Sequence, residues 1–455
     1  MKTAADNNFL LTTTLSQRLY HECAEMLPII DFHNHLNVSD IVNDRQYEDI
    51  AQLWLLGDPY KHRAMRICGV DEHYITGNAD NFEKFSKWCE TVPKLIGNPL
   101  YHWSHIELKK ILGCDKDLCA ENALYIWDEV NEKLLSRDFS SWEILKRFNI
   151  EYSAPCCSIT DTLSHFEKND FVSPSLRGDD MLGMSLAIVS QLEKCTKMKI
   201  KDLADLKKAF SIRFDLFHQV GCRFSDHALD DGFTYFEDDG KNAERFSRII
   251  QGDTLSKADL CILDSEILRI AAAEYKKRGW VMQLHCGARR YTSSRLRAVA
   301  GPAGGFAAIG KSSIGDVTLL LNELEKDGNL PRTIIFTLNP CQNAEVSILS
   351  GSFNESGIPG KVQQGAAWWW CDHLGGIYDL FEDISAYSVL STFIGMTTDS
   401  RSILSFVRHE YFRRLLCRWL GEKAEKGIFP DDLKALMRIC ENVCYKNAKT
   451  ILGKE

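Results

Sequence analysis

The 455-residue sequence predicts an α/β fold, a distorted (β/α)8 barrel of the TIM type with a large helical insertion after its first strand. Three observations carry that expectation. Short apolar or β-branched runs recur along the chain, each followed by a helical stretch, and with the first run they number eight. No internal repeat links these units, and alternation on this scale argues for a barrel over an open doubly wound sheet. Chemically capable residues stand at the ends of the runs, where a barrel of this kind gathers its active site.

In chain order, a helix-like stretch around Leu15 to Met26 comes first, and Pro28 leads into a strand at Ile29 to Asp31. The apolar run ending there reads as a buried parallel strand. Side chains two apart on an extended backbone share a face, so His33 and His35 are placed to grip one ion. A lone H-x-H is equally a strand cap followed by a solvated loop residue. From Asn37 to about Arg147 the pattern is helical, broken at Gly57-Asp58-Pro59, Gly69, Gly77 and Gly97-Asn98-Pro99. Residues 37–147 are therefore expected as an insertion within a single barrel domain of residues 1–455. Further strands are expected at Asn149–Cys157, Phe171–Arg177, Gly221–Asp226, Trp280–His285, Arg332–Asn339, Lys361–Trp370 and Phe393–Asp399. The helix Lys257 to Gly279 closes with Lys276-Lys277-Arg278-Gly279, cations in its last turn and glycine just past it.

Apolar residues make up 45% and charged residues 26%, which excludes disorder as the main state. A net charge of −9 argues against a nucleic-acid surface. No stretch reaches the roughly 18 apolar residues of a membrane span, and the first residues show no apolar signal region, so a soluble cytoplasmic protein is expected. Sixteen scattered cysteines without a C-x-x-C pair read as free, mostly buried thiols. Cys156 and Cys157 are neighbours and face opposite ways if extended, so both cannot point at one site.

The run ends carry His33-Asn34-His35, Arg177, Asp226-His227, His285 with Arg289-Arg290, Trp368-Trp369-Trp370, and Asp399-Ser400-Arg401. H-x-H after the first strand, histidine after the fifth and aspartate after the eighth resemble the metal-dependent amidohydrolase superfamily. Longer stretches narrow the resemblance to uronate isomerases: Pro28-Ile-Ile-Asp-Phe-His-Asn-His35, Leu53-Trp-Leu-Leu-Gly-Asp-Pro-Tyr-Lys61 with Arg63-Ala-Met-Arg66, Gly97-Asn-Pro-Leu-Tyr-His-Trp103, Gln283-Leu-His-Cys-Gly-Ala-Arg-Arg290, and Thr398-Asp-Ser-Arg401 with Arg408-His-Glu-Tyr-Phe-Arg-Arg414. Nearly the whole chain takes part. The resemblance implies interconversion of D-glucuronate with D-fructuronate and of D-galacturonate with D-tagaturonate, in sugar-acid catabolism. It also implies His33, His35 and Asp399 as metal ligands with His285 nearby, and Tyr60, Arg177, Asp226, Arg290, Trp368 and Arg401 around a hexuronate. A homo-oligomer is expected. Two stretches depart from the family pattern, Pro155-Cys-Cys-Ser-Ile-Thr160 and Tyr291-Thr-Ser-Ser294 with Gly301-Pro-Ala303.

The chemistry agrees with these expectations. Moving a carbonyl from C1 to C2 by proton transfer requires a base, a stabilised enediolate and a proton donor. Imidazole with carboxylate suits one divalent ion, zinc with manganese as the alternative. Asp399 is then ligand and candidate base, Tyr60 the candidate shuttle for a hydroxyl proton, and His285 the third catalytic candidate; Tyr60 also reads as a packed turn tyrosine. A uronate carboxylate calls for the guanidinium fork, offered by Arg177, Arg290 and Arg401. Arg401, two beyond Asp399, shares its face if that end is extended. His102 and His105 read as packing or capping residues, Arg408–Arg414 as a charged helix face, and at most two of the three tryptophans as facing the mouth. Two other classes fit less well. One is a hydrolase of the same superfamily, which often carries a bridging lysine where this chain has Asp226-His227; the other is a silent sugar-acid binding protein. Turnover of uronates, set against lactones and amides, separates all three.

Overall fold

The computed structural model of the chain describes residues 6–168, 171–301 and 308–453. Seven strands form one curled sheet in chain order: β1 (Ile29–Asn34), β2 (Ile150–Ser158), β3 (Ser175–Arg177), β4 (Phe224–Leu229), β5 (Val281–Cys286), β6 (Arg332–Thr337) and β7 (Val362–Gln364). Every neighbouring pair is parallel, so each connection crosses over through other structure. β1 and β5 are buried at every residue, as their near-continuous apolar runs require of strands covered on both faces.

The expected eighth strand, Phe393–Asp399, does not form a regular one. Gly395 has φ +90°, and a Cβ there would stand 2.0 Å from the Val443 carbonyl oxygen, while Asp399 has φ +48°. Both conformations break an extended run. Side chains stand in for the ladder towards β7 and share it with irregular backbone bonds towards β1. Towards β7, the Ile394 amide donates to Gln363 Oε1 at 2.8 Å. Towards β1, the His33 amide donates to Thr397 Oγ1 at 2.8 Å, the Asp399 amide to the His33 carbonyl at 3.0 Å, and the His35 amide to Ser400 O at 2.8 Å.

Other expectations shift. β1 runs on through His33, and β3 keeps three residues of the seven expected. β4 continues to Leu229, so Asp226 and His227 lie within it. β7 stops at Gln364, and Trp369–Cys371 is a 3-10 turn with Trp369 at φ +48°.

Between β1 and β2 the described elements are helices and helical turns. Gly57-Asp58-Pro59 falls in the expected break, between the helices Ile50–Trp54 and Pro59–Ile67, and starts the second. The Asp58 side chain accepts from the Tyr60 and Lys61 amides with Pro59 in the first turn of the helix Pro59–Ile67. The helix Lys257–Arg278 ends on Gly279 at φ +67°, as its sequence predicts.

The helix Val407–Glu425 corrects the expected charged face. Arg408, His409, Arg413 and Arg414 are all buried, each with acceptors of its own. Arg413 donates to the carbonyls of Leu27 and Pro28 at 2.7 Å each, just before β1, and Arg414 to those of Asn7 and Phe9. All sixteen cysteines are free. Among the described residues no helix is long and apolar enough to cross a membrane. Pro302 and Ala303, from one departing stretch, lie outside the described residues.

Candidate active site

The site rests on Asp31, two residues below His33. Its fully buried carboxylate accepts from the Thr398 amide (2.7 Å), Thr398 Oγ1 (2.9 Å), Asn34 Nδ2 (2.8 Å) and, at 3.1 Å, stands against His409 Nε2. Burial opposes its charge, but His409 and the other donors outweigh burial and hold the carboxyl below its ordinary value. This knot fastens β1 to the segment carrying Asp399. Sequence reasoning missed it; the available signal was an aspartate closing an apolar run.

Asp399 Oδ1 lies 3.2 Å from His33 Nε2 and 3.0 Å from His35 Nε2. Its Oδ2 accepts from the indole nitrogens of Trp368 at 2.6 Å and Trp369 at 2.8 Å. Two of the three tryptophans thus face the site, although from a turn rather than a strand. Burial disfavours the Asp399 carboxylate, yet the two imidazoles overcome it and keep the carboxyl well below the usual range. Burial brings His35 down to about 4. Ligand atoms about 2.0–2.1 Å from a tetrahedral ion stand roughly 3.3 Å apart. Both distances from Asp399 are close to that, and among the described residues the donor groups whose atoms lie within 4.8 Å of one another are His33, His35 and Cys156, and His33, Asp226 and His285, so the cleft gathers cation-ligating chemistry around His33.

His285 stacks on Phe336 at 4.6 Å and stands 4.6 Å from the His33 ring. Its Nε2 is buried with no hydrogen-bond partner among the described residues, and burial pushes its pKa well down, leaving it neutral. Asp226, pushed up to about 6 by burial, offers a carboxylate oxygen within 4.8 Å of ring nitrogens of His33 and His285. Cys156 joins them unexpectedly: its Sγ is 3.3 Å from Asp226 Oδ1 and 3.5 Å from His33 Nδ1. Cys157 faces away, with its thiol towards the Pro155 carbonyl.

Tyr60, early in the helix Pro59–Ile67, reaches the same cleft; its hydroxyl is buried without a partner among the described residues. Its ring lies 5.8 Å from that of Trp370 and 5.6 Å from the Arg408 guanidinium. Lys61 beside it is buried between Asp58 (2.6 Å) and Glu107 (3.5 Å), which steadies the start of the helix.

Arg177, Arg290 and Arg401 line this cleft together with His33, His35 and Asp399. Arg290 pairs with Asp230 at 2.7 Å and lies 5.5 Å over Trp369, while Arg177 stands 3.5 Å from Asp179. Arg401 is exposed and enters from a loop, since the backbone turns at Asp399 instead of running extended. Arg289 and His227 are not part of the cleft. Arg289 is exposed near Asp231, and His227 points to the Tyr275 hydroxyl at 3.1 Å, as alternation within β4 demands. His105 packs with Nδ1 2.7 Å from the Tyr101 carbonyl, and His102 packs on Phe9.

A curled parallel sheet with a cation-sized donor set and three arginines at its carboxyl ends defines an α/β enzyme of the barrel class, suited to a small anionic substrate. Within that class the chain belongs to the glucuronate isomerase family, whose model matches residues 1–452. It is 40% identical over 460 residues to the uronate isomerase of Bacillus licheniformis, covering 99% of this chain and 97% of that protein. Identity to the uronate isomerase of Caldanaerobacter subterraneus is 39% over 466 residues, with all of both chains covered. The crystal structure of uronate isomerase from Thermotoga maritima matches with a TM-score of 0.90 at 28% identity, over 98% of this chain and 99% of that one.

Proposed function

We propose that this chain interconverts aldehyde-form hexuronates and their 2-keto isomers, D-glucuronate with D-fructuronate and D-galacturonate with D-tagaturonate. The observation that carries the reading is a single cleft lined both by His33, His35, Asp399 and Tyr60 and by Arg177, Arg290 and Arg401. A sugar acid needs both halves. The arginine forks bind the C6 carboxylate and set the register of the chain of carbons. Asp226 receives a sugar hydroxyl, and Trp368 walls the carbon that reacts.

His33, His35 and Asp399 would hold one divalent ion, zinc or in its place manganese, which when bound would supply polarisation of the sugar's oxygens. Asp399, its Oδ2 held by the Trp368 and Trp369 indoles, takes the proton from C2 and returns it to C1. The Tyr60 hydroxyl gives a proton to O1 and receives one from O2, so the product is an isomer and nothing is consumed. Its buried, unpartnered oxygen supports that role, because a group of this kind is costly unless a ligand satisfies it. The buried His285 Nε2 supports a further polar contact with substrate in the same way.

The same reading treats residues 1–455 as one barrel domain, with 393–399 as an irregular eighth stave and 37–147 as an insertion. Sixteen unpaired thiols support a reducing compartment, the cytoplasm. The test follows D-glucuronate and D-galacturonate by NMR with the purified protein in heavy water. Ketose formation with solvent deuterium at C1 is expected. A protein that leaves both uronates unchanged while hydrolysing lactones or amides belongs to the rival hydrolase class instead.

A further inference from the structure

The His33 ring has two nitrogen edges, and the site described so far uses one. Nε2 faces Asp399; Nδ1 faces Cys156 Sγ at 3.5 Å, which in turn stands 3.3 Å from Asp226 Oδ1. His285 closes the group, with a ring nitrogen within 4.8 Å of donor atoms on His33 and Asp226. We propose that Cys156, Asp226, His285 and the Nδ1 edge of His33 form a second cation position, selective for a thiophilic divalent ion, whose occupation inhibits the enzyme.

The spacing supports it. With metal–sulfur bonds of about 2.3 Å and metal–nitrogen bonds of about 2.0 Å, tetrahedral ligands sit roughly 3.5 Å apart. The two Cys156 contacts, 3.5 and 3.3 Å, match that spacing; His285, within 4.8 Å of donor atoms on His33 and Asp226, has to swing inward to complete the set. His285 Nε2 is buried and lacks a partner among the described residues, which independently marks a place for a ligand. One thiolate with two imidazoles and a carboxylate favours zinc or cadmium over magnesium, calcium or manganese. Cys156, at the end of β2, is part-exposed, so an ion can reach it. On binding, the thiol S–H is exchanged for a sulfur–metal bond and the proton leaves to solvent.

Inhibition follows from the shared ring. A neutral imidazole has one lone pair to give, so an ion on Nδ1 takes His33 from an ion on Nε2. In this consequence alone, the inference rests on His33, His35 and Asp399 as the first cation site.

Cadmium is the probe. Titrated into metal-free protein, it is expected to raise a thiolate-to-cadmium absorption band in the near ultraviolet and to protect Cys156 from alkylation, mapped by mass spectrometry; magnesium does neither. In Cys156→Ser and Cys156→Ala the band is lost, and cadmium inhibition of uronate turnover weakens by at least about tenfold, the loss expected with a soft ligand. Alkylation of the unaltered protein needs no variant to fold. Cadmium binding without the band, or Cys156 alkylation at an unchanged rate, overturns the proposal. Failure of the first-site reading looks different: His35→Asn and Asp399→Asn would keep full manganese content while the cadmium band persists.

Discussion

Replacing Trp368 with phenylalanine removes one N–H from the Asp399 carboxylate and keeps an aromatic wall in place. That indole donates at 2.6 Å to Oδ2, and Trp369 donates to the same oxygen at 2.8 Å. A hydrogen bond to a charged group contributes about 1.5–3 kcal/mol. Since Oδ2 keeps one donor, the lower end applies, about 1.5–2 kcal/mol, or roughly ten- to thirtyfold in kcat/KM. The sign in pH is also set. Donors hold the Asp399 carboxyl well below the usual range, so losing one raises its proton affinity. The acid limb of kcat/KM should then move to higher pH, by about one unit at 1.36 kcal/mol per unit. His33, His35 and Oδ1 are untouched, so the metal content found by elemental analysis should stay at the parent level. The assay is kcat/KM for D-glucuronate across pH in Trp368→Phe and the parent. If rate and acid limb both match the parent, the indole carries no share of that carboxylate and the assignment of Asp399's environment is wrong.

Four further outcomes are expected. Tyr60→Phe should cut turnover by about 10²- to 10⁴-fold, the range of a lost acid–base group, while thermal unfolding stays unchanged because the hydroxyl has no partner to lose among the described residues; unaltered turnover would return Tyr60 to a packing role. Asp31→Asn turns an acceptor for the Thr398 amide and hydroxyl, Asn34 and His409 into a partial donor, and should cost about 3–5 kcal/mol, read as a lower urea midpoint. The folded Asp31 carboxyl lies below its unfolded value, so its stabilisation is present above the ordinary carboxylate range and fades as pH falls through the folded value; the gap between parent and variant must narrow in acid. Arg401→Lys keeps charge and loses the fork, with catalysis falling about ten- to a thousandfold, some 1.4–4 kcal/mol, and metal retained; parent-level turnover would leave the carboxylate to Arg177 and Arg290. Arg408→Met leaves the buried Asp372 unpaired and should destabilise by about 3–5 kcal/mol, with Arg408→Lys recovering part of it in the same unfolding assay.

Period-two and apolar-run signals located β1, β2, β5 and β6 to within a few residues, because strands buried on both faces are rich in apolar residues even where they carry buried polar ones such as Asp31 and Gln283. They failed where side chains do the work of backbone. Nothing in the composition of Phe393–Asp399 announces that Thr397 and Gln363 accept the amides a ladder would have paired. The candidate ligands were legible from H-x-H and the late aspartate. Arg401 was placed in the right cleft on a wrong premise, since Asp399 is left-handed and the chain is not extended there. Cys156 was legible only in part: alternation said that Cys156 and Cys157 cannot both face one site, and could not say whether either does or which histidine stands beside it.

The arginine-rich helix Val407–Glu425 shows why charge in a sequence is a poor guide to solvent. Charged residues spaced along a helix read as a wet face, because an unpaired buried guanidinium is prohibitive. Whether partners exist is settled by distant chain: Asp372 for Arg408, Asp31 for His409, the carbonyls before β1 for Arg413. These partners are the residues that aim β1, the tryptophan turn and Tyr60 at one cleft. The buried charges therefore join three elements remote in sequence around one point, a task for which apolar contacts, which fix no direction, are less suited.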